Sequence, residues 1–269
     1  MSSTPPQRSA QDRPVSFDGF WVGLIDDAAA LRPVTDALQV TLDAHRLRRQ
    51  SWFGDLLGSF LLPASRLPEL LPMVAAGEDL RLGVVADTGL AGLVEALGSL
   101  VDLDDRLGVD QVQIALPRGF PAQESAAALL EQLALSVTTY VELPSSGYEG
   151  ALDVLAQDGA ERAAYRLGGS TEDLAGFLAA ALLRRVPFRI AGGMQHGALN
   201  VLAAVAAGLS DGSAADLNAV LGEPAPDQLA AVLGTSDLRS VRRAFTGFDC
   251  DDVDTLAEAL AAEGLVAKS

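Results

Sequence analysis

Short apolar runs, each followed by a stretch with helical spacing, recur from residue 20 onward. Residues 20–25 (FWVGLI) predict a first strand. After Pro33, the positions Val34, Leu38, Leu42 and His45 fall on one helical face. Residues 59–62 predict a second strand, with a helix from about Pro68 to Gly77 behind it. Residues 80–86 (LRLGVVA) predict a third, followed by Leu90, Leu93, Val94 and Leu97 at helical spacing. Strands at 111–116 and 138–143 follow. A helix over 121–134 lies between them, and Tyr148, Leu152 and Leu155 mark the next. A sixth strand is expected at 163–167. Its helix opens with Ser170, Thr171, Glu172 and Asp173, an N-cap pattern, and closes with Arg184 and Arg185, which suit the negative end of the helix dipole. Residues 188–191 predict the seventh strand, inside the segment 186–208 (VPFRIAGGMQHGALNVLAAVAAG).

Seven strand–helix units in a row favour closure into a barrel over an open sheet. The expected architecture is one α/β domain over residues 19–269, a (β/α)8 TIM-barrel-like fold, preceded by a disordered tail over 1–18. After Gly208 the pattern reads as helices at 216–221, 226–233, 237–245 and 253–263. The eighth strand is expected to be short, irregular or missing.

Strand side chains alternate between two faces. Val112, Ile114 and Leu116 alternate with Gln111, Gln113 and Ala115; Thr139, Val141 and Leu143 alternate with Thr138, Tyr140 and Glu142. Ala163, Tyr165 and Leu167 alternate with Ala164 and Arg166, and Phe188 and Ile190 with Arg189 and Ala191. The apolar sets should face the helices. Gln113, Glu142, Arg166 and Arg189 should then face the barrel axis, where Val, Ile and Leu are usual. Buried charges must pair or bind something. One carboxylate against two arginines leaves a positive surplus that a small anion would balance. A satisfied internal ion network is the other reading of the same residues.

Composition narrows the chemistry. The 269 residues carry a net charge of −17, which opposes nucleic acid or anionic lipid as a partner. The single cysteine, Cys250, excludes an intrachain disulfide and suits a reducing compartment. No secretory signal and no membrane-length apolar run is visible, so a cytoplasmic protein is expected. The only lysine is Lys268. An internal Schiff base, pyridoxal phosphate attachment and a Walker A loop are thereby removed, and no motif names a cofactor.

Gly168-Gly169 and Gly192-Gly193 each follow a strand and precede a helix, where backbone N–H groups can receive an anion; ordinary turn geometry would use them equally well. His196 and Asn200 lie four apart, on one helix face near the mouth. His196 suits a general acid or base, or a backbone-bonded histidine at a helix start. His45 reads as structural. Asp26 and Asp87 end the first and third strands, where barrel enzymes place catalytic groups, or cap the next helices. A metal would need His196 with Asp87 or Glu142, and no ligand-spaced cluster supports it, so none is expected. Cys250 lacks basic neighbours and is a poor nucleophile.

The segments GLIDDAAALRPVTDAL, FLLPASRL, TTYVELP, YRLGG, VPFRIAGGMQHGALNVLAA and RRAFTGFDCDD occur in the order found in a bacterial (β/α)-barrel-like family without established activity, which the chain resembles from about Phe20 to Cys250. The resemblance implies the barrel fold and carries over Glu142, Arg166, His196 and Asn200. The chain departs from the pattern at Arg189, where the family has lysine, at Ala164, where it has a basic residue, and in a compressed histidine segment.

Two function classes follow. One is a barrel binding a small phosphorylated or carboxylated metabolite at its C-terminal mouth, as a lysine-independent lyase or isomerase. Arg166, Arg189, Gln113, Asn200 and the two glycine turns would hold the ligand, and Glu142 and His196 would move protons. The other is a non-catalytic ligand-binding or scaffold barrel that has lost an ancestral activity.

Overall fold

The computed structural model describes residues 19–32, 37–75, 78–100, 107–133, 135–192, 197–266 and 268. The expected tail over 1–18 lies outside them. Eight parallel strands close into a barrel in chain order. β1 (Ile25–Asp27) precedes α1 (Leu38–Arg49), and β2 (Leu57–Pro63) precedes the single turn α2 (Leu67–Leu70). Then come β3 (Leu80–Val85), α3 (Gly89–Gly98), β4 (Leu107–Ala115), α4 (Ala122–Gln132), β5 (Thr138–Leu143) and α5 (Glu149–Asp158). β6 (Arg162–Arg166), α6 (Thr171–Arg184), β7 (Phe188–Ala191) and α7 (Ala198–Leu209) complete the regular units. Three further helices, α8 (Ala214–Leu221), α9 (Pro226–Gly234) and α10 (Leu238–Ala244), intervene before β8 (Phe245–Cys250) and α11 (Val253–Ala262).

The TIM-barrel-like α/β fold read from the pattern is the observed one, with two corrections. The first strand begins at Ile25. Gly23 has φ of +61°, and its N–H donates outside the ladder, to Asp55 O at 2.9 Å. Phe20 and Trp21 are buried by packing without being strand. Apolarity there reports burial, not conformation. The second concerns β8: expected to be short, irregular or missing, it is present and irregular, over a stretch in which no strand was read. It closes the barrel by pairing Ile25 with Phe248, Asp26 with Asp249 and Asp27 with Cys250. Its register on β7 shifts by one residue, from Phe188↔Phe245 to Arg189↔Gly247, so Thr246 is the extra residue of a bulge.

The core lies between sheet and helices. The outward residues Tyr165, Phe188, Phe245 and Phe248 form an aromatic ladder with Phe177 of α6, and Tyr165 stacks on Phe177 at 4.4 Å between ring centroids. A second apolar cluster fills the β2–β4 side under α1 and α3. α6 starts with a complete capping box, Ser170 accepting from the Asp173 amide and Asp173 from the Ser170 amide. Among the described residues no helix is long and apolar enough to cross a membrane.

Candidate functional site

The inward faces carry the chemistry, and they form two clusters rather than one. Arg189, on β7, is 3% exposed at mid-barrel. Its guanidinium donates to Asp26 Oδ2 and, at 2.7 Å, to Gln111 Oε1, and it lies 4.6 Å over the Tyr140 ring. Its Nε is 2.7 Å from Asp249 Oδ1, yet the N–H is not aligned on that oxygen, so this contact is an ion pair without a hydrogen bond. Burial opposes the Arg189 charge, but Asp249 and Asp26 outweigh it and hold the proton firmly. Asp26 is further fixed by the Ser59 amide at 2.7 Å and by Gln111 Nε2.

The second cluster stands above it, towards the C-terminal ends of the strands. Arg166 forks onto Glu142 with Nε–Oε1 and Nη2–Oε2 both at 2.7 Å. Gln113 Nε2 donates to Glu142 Oε2 at 3.2 Å, and the Gln113 carbonyl is buried without a partner. Arg166 and Asp249 line a cavity of about 210 Å³ with Arg32, Ala191, Gly192 and Asp251. Gly192 is needed there: its φ is +91°, and a Cβ would meet Arg166 Cγ at 3.1 Å.

Asp249 is the residue that the sequence pattern hides. It is 4% exposed, and neither carboxylate oxygen has a hydrogen-bond partner. Burial pushes its carboxyl up to about 7; Arg189 and Arg166 pull it down, and Asp26 and Glu142 add to the rise. The expected positive surplus is therefore corrected. Asp26 and Asp249 supply two interior carboxylates beside Glu142, against Arg166 and Arg189.

Other expected ligand groups are committed elsewhere. The Asn200 amide donates to the carbonyls of Val220, Leu221 and Glu223, the last at 2.8 Å, closing the C-terminus of α8. Gly168 and Gly169 are exposed, and the capping box occupies the Ser170 and Asp173 amides beyond them. A Cβ on Gly169 would strike Asp173 Oδ2 at 2.5 Å, so that glycine serves the cap. His196 and Gly193 lie outside the described residues. Asp87 is exposed and pins Ser65 through its amide and hydroxyl. His45 is buried against Phe60 with Nδ1 3.0 Å from Asp27 Oδ2, a structural pair. Burial raises the Asp27 carboxyl, but His45, Arg48 and the Ala29 amide together bring it below the usual range. Cys250 is buried and its thiol is pushed up to about 11, which suppresses the thiolate. Among the described residues, no group of three His, Cys, Asp or Glu side chains is placed to hold a metal ion.

No family model, curated protein or solved structure matches the chain.

Proposed function

We propose that the C-terminal mouth binds a small metabolite bearing a carboxylate or phosphate and moves a proton on it, as a lysine-independent lyase or isomerase. Asp249 carries the reading. It is a buried carboxyl at the end of a barrel strand, free of hydrogen bonds and pushed up to about 7, on the wall of a cavity shared with Arg166. A group titrating there is available near neutral pH as both acid and base. Arg166, held in place by Glu142, lines the same cavity and suits the anionic end of a ligand. In an isomerisation, the Asp249 carboxylate would accept a proton from substrate carbon and return it at the neighbouring atom. In an elimination, the acid form would deliver it to the leaving oxygen.

The test is a thermal-shift panel of sugar phosphates and hydroxy or keto acids, followed by deuterium exchange into any binder in heavy water. Wild type should bind and exchange, while Asp249→Asn should bind and lose exchange. No shift with any compound, or equal exchange by the variant, would refute the proposal. A non-catalytic barrel is the second reading, favoured by the complete Glu142–Arg166 fork and by Arg189 lying between two carboxylates. It predicts binding without exchange, or neither.

A further inference from the structure

The opposite end of the barrel holds a cavity larger than the one beside Arg166 and Asp249. About 450 Å³ opens among the N-terminal ends of the strands, lined by Arg81, Arg162, Arg189 and Arg242 against Asp26 and Asp110. Two of these arginines have carboxylate partners on the spot: Arg81 on Asp110 and Arg189 on Asp26. The other two have none among the described residues. Arg162 donates from Nη1 to the Tyr140 hydroxyl at 3.2 Å, and its remaining N–H groups make no hydrogen bond among the described residues. Arg242 donates only to backbone carbonyls, Phe245 O at 3.1 Å, Thr246 O at 2.6 Å and Val22 O at 3.1 Å. Those carbonyls aim the guanidinium without neutralising it.

The Tyr140 hydroxyl accepts from Arg162 and so keeps its own proton for another acceptor. Burial lowers the proton affinity of Arg242 most; Tyr140 and Asp26 raise it, and the charges of Arg189 and Arg162 lower it again, so all of these groups act on one guanidinium in the same pocket. Four guanidiniums against two carboxylates leave this pocket locally positive, and an entering anion would balance it. Helices antiparallel to the strands turn their partially negative C-termini to this face, so the guanidiniums, not backbone dipoles, must attract it.

We infer that the N-terminal mouth is a second binding site, for a phosphate group, held by Arg162 and Arg242 with the Tyr140 hydroxyl. Several oxygens around one centre match donors arriving from β5, β6 and α10 at different points of the ring. The site lies across the Asp26–Arg189–Asp249 layer from the C-terminal mouth and does not depend on the reaction proposed there.

Isothermal titration of the full chain with inorganic phosphate, at constant ionic strength set by chloride, tests the inference. Saturable binding is expected, weakened tenfold or more by Arg162→Gln, because a charge-assisted bond is lost. Arg242→Gln should do the same, but it also frees carbonyls and could unfold the chain, so the Arg162 variant decides. Arg166→Gln removes any phosphate held at the other mouth, and the Arg162-dependent binding should remain in that variant. Absent binding, or binding unaffected by Arg162→Gln, overturns the inference. Loss in Arg166→Gln alone would place the phosphate at the C-terminal mouth and overturn it too.

Discussion

Arg189 decides how the barrel interior tolerates its charge. It is the one cation between Asp26 and Asp249, and removing it leaves both carboxylates buried. Arg189→Met should cost about 3–5 kcal/mol in urea unfolding, the penalty for breaking a buried pair from one side. A loss below about 1 kcal/mol would mean that the layer is hydrated or already neutral. The Arg166–Glu142 fork differs because the Arg166 side chain is 47% exposed. Solvent screens it, so Arg166→Gln should change stability by no more than about 1 kcal/mol. Arg189 and Arg166 looked alike in the sequence, both inward and both on adjacent strands. Their partners could not be read there, because Asp26 seemed to end a strand and Asp249 lay in no expected strand.

At the scale of elements, β8 shows what alternation can and cannot reveal. From Gln111 onward, past a bulge at Asp110, β4 and the strands to β7 alternate, and their inward and outward sets were legible from residue type alone. In β8 the bulge at Thr246 puts Phe245 and Phe248 three apart on one face, which is helical spacing. An adjacent helix, α10, completed the disguise. Gly247 makes the bulge possible: its φ is +155°, and a Cβ would meet Leu24 O at 2.6 Å. Gly247→Ala should therefore destabilise by about 2–3 kcal/mol, measurable as a lowered urea midpoint with an unchanged slope. The α6 cap was legible because its Ser170 and Asp173 are local in sequence. Ser170→Ala should cost about 1 kcal/mol. Asn200 was misread for the opposite reason, since its partners lie some twenty residues on, at the C-terminal end of α8 and just beyond it.

At the scale of the molecule, the barrel has two mouths separated by a charged layer, and pH acts on that layer. Asp249 binds its proton more tightly folded than unfolded, having moved from the ordinary 3.8 up to about 7. Its contribution to stability is full below the unfolded value and is lost as pH rises through about 7. Asp27 runs the other way: its lowered value stabilises above about 4 and fails as pH drops below that. Urea unfolding at pH 5 and pH 8 should show a decline with rising pH that Asp249→Asn reduces. An identical decline in the variant would place the titration elsewhere, for instance at Glu161, which burial also pushes up to about 7.

The most direct measurement is the titration of Asp249 itself, followed by carboxyl-carbon NMR on the full chain, with Asp249→Asn assigning the signal. A carboxyl titrating near 7 and missing from the variant is the predicted result. An Asp249 signal that titrates near 4 would contradict its role as the proton carrier of the C-terminal mouth.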